Sequence, residues 1–212
     1  MIINWLGLSA FKIQTKDAVL AIDPYDKIGL KMPKFQADIL LISHEHDGHN
    51  NPSAIKGEPF LINGPGEYEV KNIFIYGING FHDNKNGLEK GKITMYLIET
   101  EGIKIAFLSD IGQDNLTEAQ LELFGNADIL LVPVGGFTTI NGPGASKMIS
   151  QIQPRIVIPM HYKIPGVTLK LEGIDKFLKE FGVAQPEKMD KLKIAKKDLP
   201  QEETRLIILN KS

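Results

Sequence analysis

Ile39-Leu40-Leu41-Ile42-Ser43-His44-Glu45-His46-Asp47-Gly48-His49 is the stretch on which the reading of this chain turns. It begins as a continuous apolar run, which suits a strand buried on both faces. It ends in three histidines within six residues, out of only five in the whole chain. Imidazoles crowded at the end of a buried strand are costly as packing and useful as metal ligands. Residues two apart on an extended strand share a face, so His44 and His46 can converge on one ion. His49 follows Gly48, where the chain can turn back.

The other two histidines occupy similar positions. His82 follows a strand ending near Gly80, and His161 follows Ile156-Val157-Ile158-Pro159-Met160. Asp110 follows Ile105-Ala106-Phe107-Leu108-Ser109. Each is a polar group just beyond the end of an apolar strand, the place where open α/β sheets put their sites. A single histidine there is ordinarily a surface or satisfied residue. All five, with an aspartate in the same setting, are hard to explain as packing.

The bulk composition narrows the chemistry. The chain has 212 residues, 42% apolar and 24% charged, as in an ordinary soluble globular protein. Its net charge of −2 gives no basic excess for nucleic acid or an anionic membrane surface. There is no cysteine, so disulfides, thiolate metal sites and cysteine nucleophiles are excluded. Any metal must be held by nitrogen and oxygen. No signal peptide and no membrane span is readable, so a cytoplasmic location is the expectation. No Ser-His-Asp system or phosphate-cradling loop is readable either.

Along the chain, strands come first and then alternate with helices. Strands are predicted at Ile2–Leu6, Ala10–Gln14, Val19–Ile22, Ile39–Ile42, Phe60–Ile62, Ile73–Tyr76, Thr94–Ile98, Ile103–Leu108, Ile129–Val132, Ile156–Pro159 and Arg205–Leu209. Helices are predicted at Thr117–Phe124, with Thr117 as N-cap, at Ala145–Ile152, and at Ile174–Phe181 before Gly182. The charged stretch from Glu187 to Lys197 reads as surface, and Asn63-Gly64-Pro65-Gly66 as a turn. Two sheets covered by helices satisfy this pattern.

In order and spacing, His44, His46, His49, His82, Asp110 and His161 resemble the metallo-β-lactamase superfamily. Within it the chain is most similar to the small group that includes the ascorbate-6-phosphate lactonases. Ile22-Asp23-Pro24, Asn63 to Tyr68, Leu108-Ser109-Asp110, Pro133 to Gly136 and Pro159 to Tyr162 support the likeness. The resemblance implies one α/β domain over residues 1–212, a four-layer αββα sandwich. It implies a metal held by His44, His46 and His82, a second held by His49, His161 and the motif's aspartate, and Asp110 bridging them. The ions would be divalent, zinc foremost, with manganese, iron or nickel as alternatives, and one or two per chain. The implied activity is hydrolysis of an ester, lactone or phosphoester in a small molecule by metal-activated water. No nucleic-acid or membrane partner is expected; the oligomeric state is open.

The sequence departs from the family pattern in one place that matters. The family aspartate belongs at position 48, which is glycine; the nearest carboxylate is Asp47. Asp47 either points away from the metals or reaches in through a loop that Gly48 lets re-form, joining Asp110 as a catalytic candidate. The second metal is therefore expected to bind more weakly than the first. The alternative is a weak or inactive metal- or ligand-binding relative with a degenerate second site. Two smaller differences are Leu8, where relatives commonly have histidine in Gly-His-Ser, and Gln113, replacing another histidine. Asp23 is read either as orienting a ligand histidine or as capping a turn. The Gly135-to-Thr139 loop, Tyr162 and Lys163 are candidates to meet a substrate anion, with structural roles as the alternative.

Overall fold

The computed structural model describes residues 1–212. In chain order the elements are β1 (Ile2–Gly7), β2 (Ala10–Gln14), β3 (Val19–Ile22), β4 (Phe35–Gln36), β5 (Ile39–Leu41), β6 (Ile55–Lys56), β7 (Phe60–Ile62), β8 (Gly66–Val70), β9 (Ile73–Phe81), β10 (Lys92–Thr100) and β11 (Ile103–Phe107). Then come α1 (Glu118–Phe124), β12 (Ile129–Pro133), α2 (Gly142–Ile152), β13 (Ile156–Met160), α3 (Ile174–Phe181), β14 (Glu187–Met189), β15 (Leu192–Lys193) and β16 (Arg205–Leu209).

The strands form a six-stranded sheet, ordered β15-β1-β2-β3-β5-β7, and an eight-stranded sheet, ordered β14-β16-β13-β12-β11-β10-β9-β8. The period of two along each strand explains why these sheets stack. In the smaller sheet Ile3, Trp5, Phe11, Ile13, Leu20, Ile22, Ile39 and Leu41 belong to the 49-residue core shared with the larger sheet. Their strand neighbours Leu6, Ala10, Ala21 and Leu40 belong to a second cluster of 14 buried residues. Each buried leucine or isoleucine contributes about 1.5–3 kcal/mol by leaving water, so this alternation fixes which face is which.

The second cluster is closed by Tyr25, Ile28, Met32, Val167 and Leu171, from irregular segments rather than helices. The helices gather at the larger sheet: α2 contacts β12, and α1 and α3 both contact α2. Parallel pairing of β11 with β12, and of β12 with β13, requires crossovers, which α1 and α2 supply. Thr117 caps α1 as expected, in a reciprocal capping box with Gln120. Helix α2 starts at Gly142, three residues before the predicted Ala145, because Asn141 accepts a hydrogen bond from the Gly144 amide. Pro143 also suits a helical first turn.

One expectation is extended and one needs correction. The charged stretch from Glu187 contains β14 and β15, which extend the two sheets by pairing with β16 and β1. An edge strand has one unpaired side and tolerates lysine and glutamate, so hydrophobicity does not mark it. Gly66 is not turn alone: it opens β8, which pairs antiparallel with β9. No helix is long and apolar enough to cross a membrane.

Candidate metal centre

The functional side chains come from the carboxyl ends of strands in both sheets. In the smaller sheet β3 runs into Asp23 and β5 into Ser43 and His44. In the larger one β9 delivers His82, β11 delivers Ser109 and Asp110, and β13 delivers His161. The sheets are tied together at this end: the Tyr96 hydroxyl donates to the Ile42 carbonyl at 2.8 Å, and the Thr94 amide to the Ser43 carbonyl at 2.8 Å.

Beyond β5 the chain turns tightly. The amides of His49 and Asn50 both donate to the His46 carbonyl, at 2.8 and 3.0 Å. The imidazoles gather edge-on and tilted: the His44 ring centroid lies 4.6 Å from His46, 4.2 Å from His49 and 4.9 Å from His82. Asp110 sits at the centre, fully enclosed. Its Oδ2 is 3.2 Å from His49 Nε2, 3.1 Å from His161 Nε2 and 3.7 Å from His82 Nε2. The Ser9 hydroxyl donates to its Oδ1 at 3.1 Å.

Several of these residues adopt a conformation that side chains avoid. Leu8, Asp23, Ser109 and His161 have φ values of 50°, 43°, 51° and 53°. Left-handed backbone at non-glycine positions is uncommon and holds only where the surroundings enforce it. The enforcement is visible at Leu8, whose carbonyl accepts from Trp5 Nε1 at 2.8 Å and from the His161 amide at 2.9 Å.

Electrostatics divide the histidines into two kinds. Burial is the main cause that lowers His44, to about 2, and that lowers His46 and His82. These imidazoles are neutral near pH 7 and carry free lone pairs, the form that ligates metal. His49 is different. Its Nδ1 lies 2.8 Å from Asp23 Oδ2 while its Nε2 faces Asp110. An imidazole between two ionised carboxylates is favoured in its doubly protonated form. Burial opposes that charge, but Asp110 and Asp23 outweigh it and lift His49 to about 10. Asp110 is held well below its usual range: burial acts against ionisation, and His161 and His49 overcome it.

The metal-free protein should therefore be most stable near pH 6.5, as far as these groups decide. Below the ordinary histidine value of 6.5, the unfolded chain binds protons that folded His44, His46 and His82 refuse, so stability falls as pH is lowered. Above 6.5, unfolded His49 gives up a proton that the folded protein keeps to about 10, so stability falls as pH rises. Urea midpoints of chelated protein across this range test the peak; a midpoint rising steadily with pH would contradict it.

The donor set fits a divalent ion. One nitrogen each from His44, His46 and His82 lie within 4.8 Å of one another, and so do donors of His49, Asp110 and His161. A third grouping joins Asp23, His44 and His49. Buried His44 Nε2, His82 Nδ1 and His161 Nδ1 have no hydrogen-bond partner. Uncompensated buried polar atoms are rare and call for an explanation; ligation supplies one at His44. His46 is exposed, which leaves the cluster open to solvent.

Other sequence candidates land elsewhere. Asp47, paired with Asp110 as a catalytic candidate, needs correction. Its carboxylate is exposed, 3.4 Å from Lys27 Nζ, and joins none of the metal-holding groups. The turn that brings His49 inward sends residue 47 outward. Asp23 does orient a histidine, His49, and it also accepts from the Ser43 amide at 2.8 Å. Gln113 accepts from the Phe81 amide at 3.0 Å, steadying the strand that carries His82. Tyr162 is buried and stacked on Trp5 at 4.9 Å. Lys163 Nζ is committed to the Val167 and Leu169 carbonyls. Ser9 went unnoticed as a partner of Asp110; its place in Gly7-Leu8-Ser9 at the end of β1 was the available signal.

Comparison with known proteins agrees with this architecture. Residues 2–161 match the family model described as a β-lactamase superfamily domain. A UPF0173 metal-dependent hydrolase from Thermococcus onnurineus is 28% identical over 192 residues, covering 76% of this chain and 84% of that protein. A crystal structure from Thermotoga maritima, named as a proposed Zn-dependent hydrolase of the metallo-β-lactamase superfamily, superposes with a TM-score of 0.81. It is 32% identical and covers 98% of this chain and 97% of its own. A metallo hydrolase from Ignicoccus hospitalis, 18% identical, shares the fold at a TM-score of 0.62, covering 91% of this chain and 98% of its own. By the family match, the near-complete superposition and the histidine–aspartate cluster together, the chain belongs to the metallo-β-lactamase superfamily, among its metal-dependent hydrolases.

Proposed function

We propose that this hydrolase cleaves an ester, lactone or phosphoester bond in a small molecule, with zinc as its metal. His44, His46 and His82 are the ligands of the first ion, and His49, Asp110 and His161 of a weaker second. The observation that carries this reading is geometric. One donor each from His44, His46 and His82 converge within 4.8 Å of one another, and beside them donors of His49, Asp110 and His161 do the same, with His49 lying between Asp23 and Asp110. Protons compete with metals for the same lone pairs, so the second ion must displace a proton from His49 and the first need not. A divalent ion held here would bring the pKa of bound water from 15.7 to about 7 and polarise a carbonyl or phosphoryl oxygen.

The chain's own residues do the rest. Asp110, ionised at neutral pH, is too weak a base to take a proton efficiently, so its task is to accept a hydrogen bond and fix orientation. Ser9 and His161 hold that carboxylate in place. Exposed His46 marks the side from which substrate enters.

The test is a panel of lactones, p-nitrophenyl esters and phosphodiesters, assayed before and after chelation. Turnover of at least one class should vanish on chelation and return with zinc. Turnover indifferent to chelation would contradict the metal role, and no turnover of any class would favour a second reading. That reading is a weakly active or inactive relative; Asp47 facing Lys27 rather than the cluster is the observation in its favour.

A further inference from the structure

Next to His82 the chain is drawn into a knot by one carboxylate. Asp83 Oδ1 accepts from the amides of Lys85 and Gly87, at 2.8 and 2.9 Å. Its Oδ2 accepts from those of Glu89 and Lys90, at 3.0 and 2.7 Å. The knot fixes the 83–91 loop, and with it the place of Lys90.

That place is the junction of two cavities flanking the histidine cluster. One, of about 660 Å³, is bordered by His82, Asn115, Thr138, Thr139 and Lys147. The other, of about 300 Å³, is bordered by Ser43, His44, His46 and Lys92. Lys90 borders both.

The Lys90 ammonium is half-buried and unneutralised. Its Nζ donates to the Phe137 carbonyl, 3.2 Å away across the larger cavity, and it forms no ion pair with any carboxylate. An ammonium has three donors, so two remain free. The neighbouring acids are mostly engaged. Asp83 is consumed by the knot, and Glu89 accepts from Lys85 Nζ at 2.6 Å. Asp114 is left on the wall, exposed, against the two amines Lys90 and Lys147.

We propose that Lys90 is the specificity determinant of this centre: its ammonium receives a fixed negative charge on the substrate, a carboxylate or phosphate, while the scissile group lies at His46 and His82. The inference rests on the hydrolase reading for the scissile group, but the anion subsite can be tested apart from it. An ammonium is a compact point charge that accommodates either anion. Loss of one charge-assisted hydrogen bond should cost about 10- to 100-fold in affinity.

Lys90→Met and Lys90→Arg, checked for unchanged metal content and thermal midpoint, are compared with the parent on p-nitrophenyl hemisuccinate and on its neutral methyl ester. In Lys90→Met, kcat/KM for the anionic ester should fall about 10- to 100-fold, mostly in KM, while the neutral ester changes less than about twofold. Lys90→Arg should recover most of the loss. Equal effects on both esters, or none, overturn the proposal. Calorimetric binding of monomethyl succinate, dimethyl succinate and inorganic phosphate gives the arm that needs no turnover. If neither ester is hydrolysed, an ester as the scissile group is what fails. The Lys90 subsite still stands if Lys90→Met weakens monomethyl succinate or phosphate, but not dimethyl succinate, by about 10-fold. The stronger of the two anions identifies the source of the charge. Unchanged binding of both anions in Lys90→Met overturns the subsite.

Discussion

Asp110→Asn is expected to empty the second metal site, to weaken the first, and to destabilise the metal-free protein as well. Asp110 is the one carboxylate within 4 Å of histidines from both proposed ligand sets: His49 and His161 on one side, His82 on the other. Asparagine keeps the shape and can still accept from Ser9, so the substitution removes charge and little else. In the metal-free state it leaves the His49 imidazolium with Asp23 alone. Breaking a buried charge pair from one side costs about 3–5 kcal/mol. Metal affinity should fall by at least about 100-fold, the upper end for losing a merely supporting partner, and turnover with it. Urea unfolding of chelated protein and metal analysis after dialysis measure the two effects. A variant that keeps its metal and its stability would deny Asp110 its central place.

Gly48→Asp, the change that restores the family's aspartate, is expected to fail alone. A Cβ at position 48 would lie 2.9 Å from Leu8 Cδ2 and 3.8 Å from Ile28 Cγ2, the first closer than real contacts allow. Leu8 has little room to rotate away, because its side chain is fully buried in the second apolar cluster. Leucine at 8 and glycine at 48 therefore belong together: the larger side chain fills the space beside the smaller. Overpacking should cost Gly48→Asp about 1–3 kcal/mol, and the cavity left by fully buried Leu8 should cost Leu8→Ala about 2–5 kcal/mol. Combined, the two should destabilise by at least about 1 kcal/mol less than their sum. The double variant should also bind its second metal equivalent more tightly than the parent. Strict additivity, or a stable single variant that already binds two equivalents tightly, would show that Leu8 is not the obstacle.

The sandwich was legible because its strands are short apolar runs with polar groups at their ends, and burial on both faces leaves that mark in sequence. His82, Asp110 and His161 could be placed at strand ends for the same reason. The edge strands β14 and β15 were not legible, since a strand paired on one side can be built from lysine and glutamate. The direction of Asp47 is not legible in the sequence because it depends on a turn closed by the His46 carbonyl, and hydrogen bonding of that kind has no hydrophobic signature. The different protonation of His49 was equally hidden. It requires Asp23, 26 positions away in sequence, to meet the second ring nitrogen. Lys90 carries no motif at all; Asp83-Asn84-Lys85-Asn86-Gly87 signals a turn, but not that the turn aims a lysine at the metal cluster.

The central claim is that His44, His46 and His82 form the tighter of two adjoining sites. A crystal structure of protein soaked with one equivalent of zinc, with anomalous scattering recorded at the zinc edge, tests it most directly. A peak is expected about 2.0–2.1 Å from a nitrogen of each of these three histidines. A peak between His49, Asp110 and His161 with none at the first site, or no peak in the cluster, would contradict it.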